Sequence, residues 1–225
     1  MNMQSKDFAK AARNLARVHL KYAKRPRRYR QILREIRIRR PQILVEIGVY
    51  EGVRAVEMIE AASIDRPPQE IEYFGFDLFE LMTPEIFEKE LSKWPHTEQQ
   101  VRERLLRTGA CISLRKGPTS DTLPDFVRER QGRPVDFVFI DGGHAIETIQ
   151  SDWDSIKQII GVGSTVLFDD YYVDCPTRIR DFGCNAVLEK IDNQIYSCEV
   201  LPDIDRFNPD DGPLNVSVAK LQQRK

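Results

Sequence analysis

Two apolar runs, residues 135–140 and 164–168, flank a helix-length segment at 145–160, and each run ends in acid. Asp141 follows the first run, and Asp169 and Asp170 follow the second. The pattern reads as strand, helix, strand. A crossover of this length makes the two strands parallel, and its right-handedness brings their carboxyl ends to one edge of a sheet. Three carboxylates and His144 then gather where open α/β sheets take their ligands. Asp141, Asp169 and Asp170 beside an open cleft are oxygen ligands suited to Mg2+, which leaves positions for water and substrate oxygens. His144, three residues beyond Asp141, has an ordinary pKa near ~6.5 and could take a proton near neutral pH. Capping the following helix, or bonding a nearby acid, is the other duty open to it.

The same alternation continues on both sides of this unit. Residues 43–48 read as a first strand, Val53–Ala62 as a helix, 71–77 as a second strand and Cys111–Lys116 as a third, followed by a helix at 121–130. Repeated alternation implies an α/β fold with a mostly parallel sheet covered on both faces. The rhythm changes near the end. After a helix at 178–191, strands at 194–201 and 214–221 follow with only the turn-rich DIDRFNPDDGP between them. Two strands without an intervening helix predict an antiparallel hairpin at the end of the sheet. The interval 78–110 is mostly helical in pattern, with two short helices around Pro95; it is a lid over the strand ends or a peripheral helical hairpin.

A chain of 225 residues suits one such domain. Its net charge of −1 conceals a polarity, because residues 1–40 hold 14 Lys and Arg against only Asp7 and Glu35. Phe8, Leu15, Val18 and Tyr22, then Tyr29, Ile32, Leu33 and Ile36, recur at helical spacing on either side of Pro26. The expected division is a basic helical extension at 1–40 and an α/β domain at 41–225. Amphipathic helices packed on an acidic domain or on a second subunit fit that extension; contact with nucleic acid or an anionic membrane is the alternative. No apolar run approaches a membrane span. Cys111, Cys175, Cys184 and Cys198 show no CxxC spacing, which fits reduced thiols in a cytoplasmic protein.

The first strand ends in EIGVYEG, with Glu46, Gly48 and Gly52, and the second ends in Phe76-Asp77. Glycines permit close backbone approach at a strand-to-helix turn, and an acid at the second strand end can accept from ribose hydroxyls. With FDLFE, GPTSDTL, DGGH and DDYY, these segments resemble a class I S-adenosylmethionine-dependent methyltransferase. More narrowly, they are similar to small-molecule O-methyltransferases of the macrocin and cephalosporin-hydroxylase-like group, and the resemblance covers about residues 43 to 190. The resemblance implies a Rossmann-like, doubly wound sheet of seven strands whose last two form a hairpin. It implies that Gly48, Gly52 and the adjacent backbone flank the methionine part of the cofactor, and that Glu46 orders the loop and faces its amino group. Asp77 would hold the ribose and Thr119 lie by the adenine or ribose, with Asp141 at the cofactor's edge. It implies Asp141, Asp169 and Asp170 as metal ligands, and His144 as the base acting on a small-molecule hydroxyl acceptor. Two other functions stay open on the sequence: a nicotinamide-dependent oxidoreductase, against which the missing GxGxxG counts, and a binding protein of the same fold without catalysis.

Overall fold

Strand β1 (Ile43–Ile47) is apolar along its length apart from Glu46, and all but its first residue are buried. That is the character of a strand covered on both faces of a parallel sheet. The computed structural model describes residues 26–174, 176, 179–208 and 212–225. Beyond β1 come α2 (Val53–Ala62), β2 (Glu72–Asp77), α3 (Pro84–Lys89), α4 (Glu98–Leu106), β3 (Cys111–Lys116) and α5 (Thr119–Arg130). Then follow β4 (Phe137–Ile140), α6 (Ile146–Ile156), β5 (Thr165–Tyr172), α7 (Asn185–Leu188), β6 (Tyr196–Val200), β7 (Asp205–Phe207) and β8 (Leu214–Gln223). A helix α1 (Arg28–Arg39) precedes them all.

The sheet order is β3-β2-β1-β4-β5-β8-β6, with β7 paired to β8 off this path. Strands β1 to β5 are parallel, while β8 runs antiparallel to β5, β6 and β7. The fold is therefore the expected α/β, Rossmann-like, mostly parallel sheet with antiparallel C-terminal strands. Among the described residues it has eight strands where seven were expected, the additional one being the three-residue β7 inside DIDRFNPDDGP. Strand order reverses between β1 and β4. The chain leaves β1 for α2 on one face of the sheet and leaves β4 for α6 on the other, which opens the crevice where such sheets bind ligands.

Two layers cover the sheet. On one face Ile32, Leu33 and Ile36 of α1 pack with Ala55, Met58 and Ile59 of α2 against Leu44, Phe137, Phe139 and Leu167. On the other, Leu123 and Phe126 of α5 and Ile149, Trp153 and Ile156 of α6 pack on Val45, Ile47, Val138, Ile140 and Phe168. Full burial of side chains of this size contributes about 1.5–3 kcal/mol each, so α1 is bound firmly to the core of the sheet. The two short helices around Pro95 are present as α3 and α4. The helix expected at 178–191 is reduced to α7 among the described residues. Gly183 breaks it: its φ is +80°, and a Cβ there would lie 2.5 Å from the Asp170 carbonyl oxygen. The apolar repeat Phe8, Leu15, Val18 and Tyr22 lies outside the described residues. No helix among the described residues is long and apolar enough to cross a membrane.

Candidate active site

The floor of the site is set where β1 turns into α2. Gly48 has φ +88°, and a Cβ there would lie 1.9 Å from the Asp141 carbonyl oxygen, so the ends of β1 and β4 approach as closely as they do only because residue 48 is glycine. The Gly48 N–H donates to the Phe76 carbonyl at 2.8 Å and the Asp141 N–H to the Ile47 carbonyl at 2.8 Å, tying three strand ends together. The Asp77 carboxylate accepts from the Tyr50 N–H at 2.7 Å and the Phe79 N–H at 3.0 Å. Burial raises its pKa, against the lowering by those backbone amides.

Above this floor lies a cleft of about 850 Å³. Gly48, Asp77, Thr119, Asp141, His144 and Asp170 all line it. Two residues expected to face the cofactor lie elsewhere. Gly52, the N-cap of α2, is turned toward Val101 of α4. Glu46 is wholly buried beneath the loop, where it accepts a hydrogen bond from the Tyr73 hydroxyl. Burial pushes the Glu46 carboxyl up to about 8, with the Tyr73 bond and the Arg54 charge acting against it.

Asp141, His144 and Asp170 offer ligand atoms that all lie within 4.8 Å of one another. Asp169 does not join them. Arg28 of α1 donates to both of its oxygens, Nε to Oδ1 at 2.7 Å and Nη2 to Oδ2 at 3.0 Å. Alternation along β5 separates the pair: Leu167 faces the α1 layer and Phe168 the α6 layer, so Asp169 returns to the α1 side, where Arg28 stands. Pairing with β8 then shifts register between Phe168 and Tyr171, and Asp170 takes φ +53°. That bulge leaves the Asp170 carboxylate at the cleft.

His144 has both ring nitrogens against oxygen: Nδ1 is 2.8 Å from the Glu90 carbonyl and Nε2 is 2.9 Å from Asp170 Oδ2. Burial lowers its pKa, but the bond to Asp170 and the Asp170 charge outweigh burial and raise it. Burial would raise the Asp170 carboxyl; the His144 bond and charge, with Arg28 and Lys93, bring it below its ordinary value. Asp141 is pushed well above the carboxylate range by burial and then by the charges of Asp169 and Asp170, which Arg28 partly offsets. The arrangement is thus a cluster of negative charge that is short of cations, one edge of which Arg28 neutralises.

Three contributors escaped the sequence reading. Arg28 and Arg54 both lie over the Tyr29 ring, 4.4 and 3.9 Å from its centroid, and all of these residues line the cleft. Glu90, from the segment between α3 and α4, meets His144 across 54 residues of sequence. The apolar repeat around Tyr29 signalled a helix, but nothing in it pointed to a charged residue turned inward.

A family of methyltransferase domains matches residues 45–171 of this chain. Among curated proteins none matches. Solved structures share the fold. The O-methyltransferase TomG from Streptomyces achromogenes, involved in tomaymycin synthesis and solved with S-adenosylmethionine, aligns at TM-score 0.60 and 14% identity over 93% of this chain and 87% of its own. An O-methyltransferase from Bacillus cereus, solved with S-adenosylhomocysteine, aligns at 0.59 and 13% identity, covering 94% and 90%. The calicheamicin methyltransferase CalS11 aligns at 0.58 and 16% identity, covering 92% of each chain.

Proposed function

The chain belongs to the methyltransferase-domain family, and on that premise we propose that it moves the methyl group of S-adenosylmethionine to a hydroxyl oxygen of a small molecule, a sugar or another secondary metabolite. One observation carries the oxygen specificity: Asp141, His144 and Asp170 converge at the lip of the cleft, beside the Gly48 loop. A hydroxyl seated there has a base and an anionic cluster beside it. The hydroxyl oxygen attacks the methyl carbon, the carbon–oxygen bond forms as the carbon–sulfur bond breaks, and the bonding pair stays on sulfur to give S-adenosylhomocysteine. His144 receives the hydroxyl proton at Nε2 when its ring is neutral, because Nδ1 already donates to the Glu90 carbonyl. Holding oxygen, methyl carbon and sulfur in line is the larger part of the catalysis.

A divalent cation such as Mg2+ is part of the proposal. The donor chemistry fits, since Asp141 is held above its ordinary range by burial and then by the like charges of Asp169 and Asp170, which another cation would offset. Asp141 and Asp170 would hold it, and when bound it supplies polarisation of the acceptor hydroxyl. Asp169, expected as a third ligand, is assigned instead to fixing Arg28. The expected boundary at residue 40 also changes in this reading: α1 is counted with the catalytic domain, because it shares its core. Segment 78–110 forms one wall of the cleft through Met82, Ile86, Glu90 and Leu91, which supports its reading as a lid. A cytoplasmic setting goes with the proposal and is supported by the free thiols of Cys111, Cys184 and Cys198.

The test is calorimetric titration with S-adenosylmethionine, with Mg2+ and again with EDTA, using NAD as the control. Saturable binding near micromolar, about −8 kcal/mol, is expected for the first ligand in both media and none for NAD. Asp141→Ala should keep cofactor binding within a few-fold and lose methyl transfer. Wild-type turnover in that variant would remove the assignment of the cluster.

A further inference from the structure

Glu90 is the one charged residue between α3 and α4 that the fold buries: it is 7% exposed, while its neighbours Lys89 and Leu91 stand in solvent. Its carbonyl and both carboxylate oxygens are directed at the start of α6. Its backbone carbonyl accepts from His144 Nδ1 at 2.8 Å, Oε2 accepts from the Ala145 N–H at 3.0 Å, and Oε1 accepts from the Thr148 hydroxyl at 2.7 Å. Ala145 is the N-cap of α6 and has no side chain able to cap it. Glu90 therefore caps that helix from another part of the chain, with a negative charge where exposed helix amides favour one. Leu91, the next residue, takes φ +48°, so the chain turns sharply away once the contact is made.

A second observation is independent of these bonds. Gly143, in the run DGGH, is not among the glycines with positive φ, so backbone conformation does not demand glycine there. Space does. A Cβ on residue 143 would lie 2.4 Å from Glu90 Oε2 and 2.8 Å from Thr148 Cγ2. Residue 143 is kept bare by the carboxylate seated against it.

We propose that Glu90 is a latch, a positioning residue through which the cleft-covering segment 78–110 sets the ring orientation of His144. With Nδ1 committed to the Glu90 carbonyl, Nε2 is the nitrogen turned to Asp170 and the cleft. The covering segment and the base are then one device: when the segment lifts, the imidazole loses the bond that selects its outward nitrogen. A site that must exclude water before a proton moves gains order from this, because the base is aligned only while the cleft is covered. The catalytic consequence rests on the reading of His144 as the base, whereas the latch itself is a statement about geometry.

The test reads the geometry directly, in the full chain at one pH. The protein has three histidines, so 15N-histidine labelling with a His144→Asn control assigns the ring nitrogens. Wild type should show His144 with a persistently protonated Nδ1. Glu90→Ala and Gly143→Ala should both lose that signature, and amide exchange across residues 78–97 should quicken by on the order of tenfold or more. Glu90→Gln should restore it, since the amide oxygen can accept from the Ala145 N–H and the amide nitrogen can donate to Thr148 Oγ1. The far-UV circular dichroism spectrum should stay unchanged throughout, as a check that the fold is intact. If Glu90→Ala fails to fold, Gly143→Ala and Glu90→Gln carry the same comparison. His144 signals unchanged in Gly143→Ala and in any folded Glu90 variant would overturn the latch. Methyl transfer persisting in His144→Ala would instead remove the base reading and leave these spectra as they are.

Discussion

Single residues in this protein carry more than one duty, and Glu46 shows the consequence for stability. It lies in the middle of EIGVYEG yet never reaches the cleft; the β1 alternation turns it into the layer where Tyr73 waits. Burial holds its carboxyl at about 8, against an ordinary 4.5. Below about 4.5 both folded and unfolded chains hold that proton. Between 4.5 and 8 the unfolded chain releases it and the folded chain does not. Stability should therefore fall as pH rises across that window, by an amount on the order of a few kcal/mol. Urea unfolding from pH 5 to 9 should show this decline in the wild type and a flatter profile in Glu46→Gln, which copies the neutral form. Arg28 shows the same doubling of roles: its guanidinium closes off Asp169 while its backbone N–H, with that of Arg27, donates to the Asp205 carboxylate. The positions of Asp77 and Asp141 at strand ends, and of His144 in the loop that follows, were legible, because a strand end is where an apolar run meets a polar residue. The partners of Asp169 and Glu46 were not, because pairing depends on which face of a strand a residue takes and on what the opposite layer brings there.

At the level of elements, the alternation of β and α was written plainly in the apolar runs, while the shorter features were hidden by local chemistry. β7 lies in a segment of Asp, Asn and Pro that reads as a turn; its pairing comes from β8, a ten-residue strand long enough to hold β6 and β7 along one edge. The helix expected across 178–191 has suitable residues, but Gly183 has to pass against Tyr172 and Asp170, and that close approach wins over helix propensity. Helix α1 is the most consequential element to have been read as an appendage. It buries Ile32, Leu33 and Ile36 in the core and is bound by Arg28 to Asp169 and by Gln31 to Asp203. A chain starting at residue 41 should thus lose about 5 kcal/mol or more of apolar burial and leave Asp169 without its counter-ion. We expect that truncated chain to be aggregated or largely unfolded by circular dichroism. A stable, cofactor-binding truncation would show that α1 is dispensable to the fold.

Across the whole molecule, the two layers meet on one sheet, and the cleft draws walls from α1, the Gly48 loop, the segment around Glu90 and β8. Such a molecule should unfold in one transition that includes α1. At a concentration one hundred times its dissociation constant, S-adenosylmethionine should add roughly 2.7 kcal/mol, moving the midpoint by about 5–10 °C. Scanning calorimetry with and without the ligand checks both points; a separate early transition would set α1 or the covering segment apart. The position of β8 has a further bearing, on how the protein is made. It follows every other described strand, yet it lies inside the sheet, between β5 and β6. During synthesis, β5 must wait with an open edge until residues 214–223 leave the ribosome, and α1, made well before it, must wait for Asp205. A nascent chain stalled before β8 would expose an unsatisfied apolar strand edge, the kind of surface that chaperones hold and that neighbouring chains on a polysome can capture.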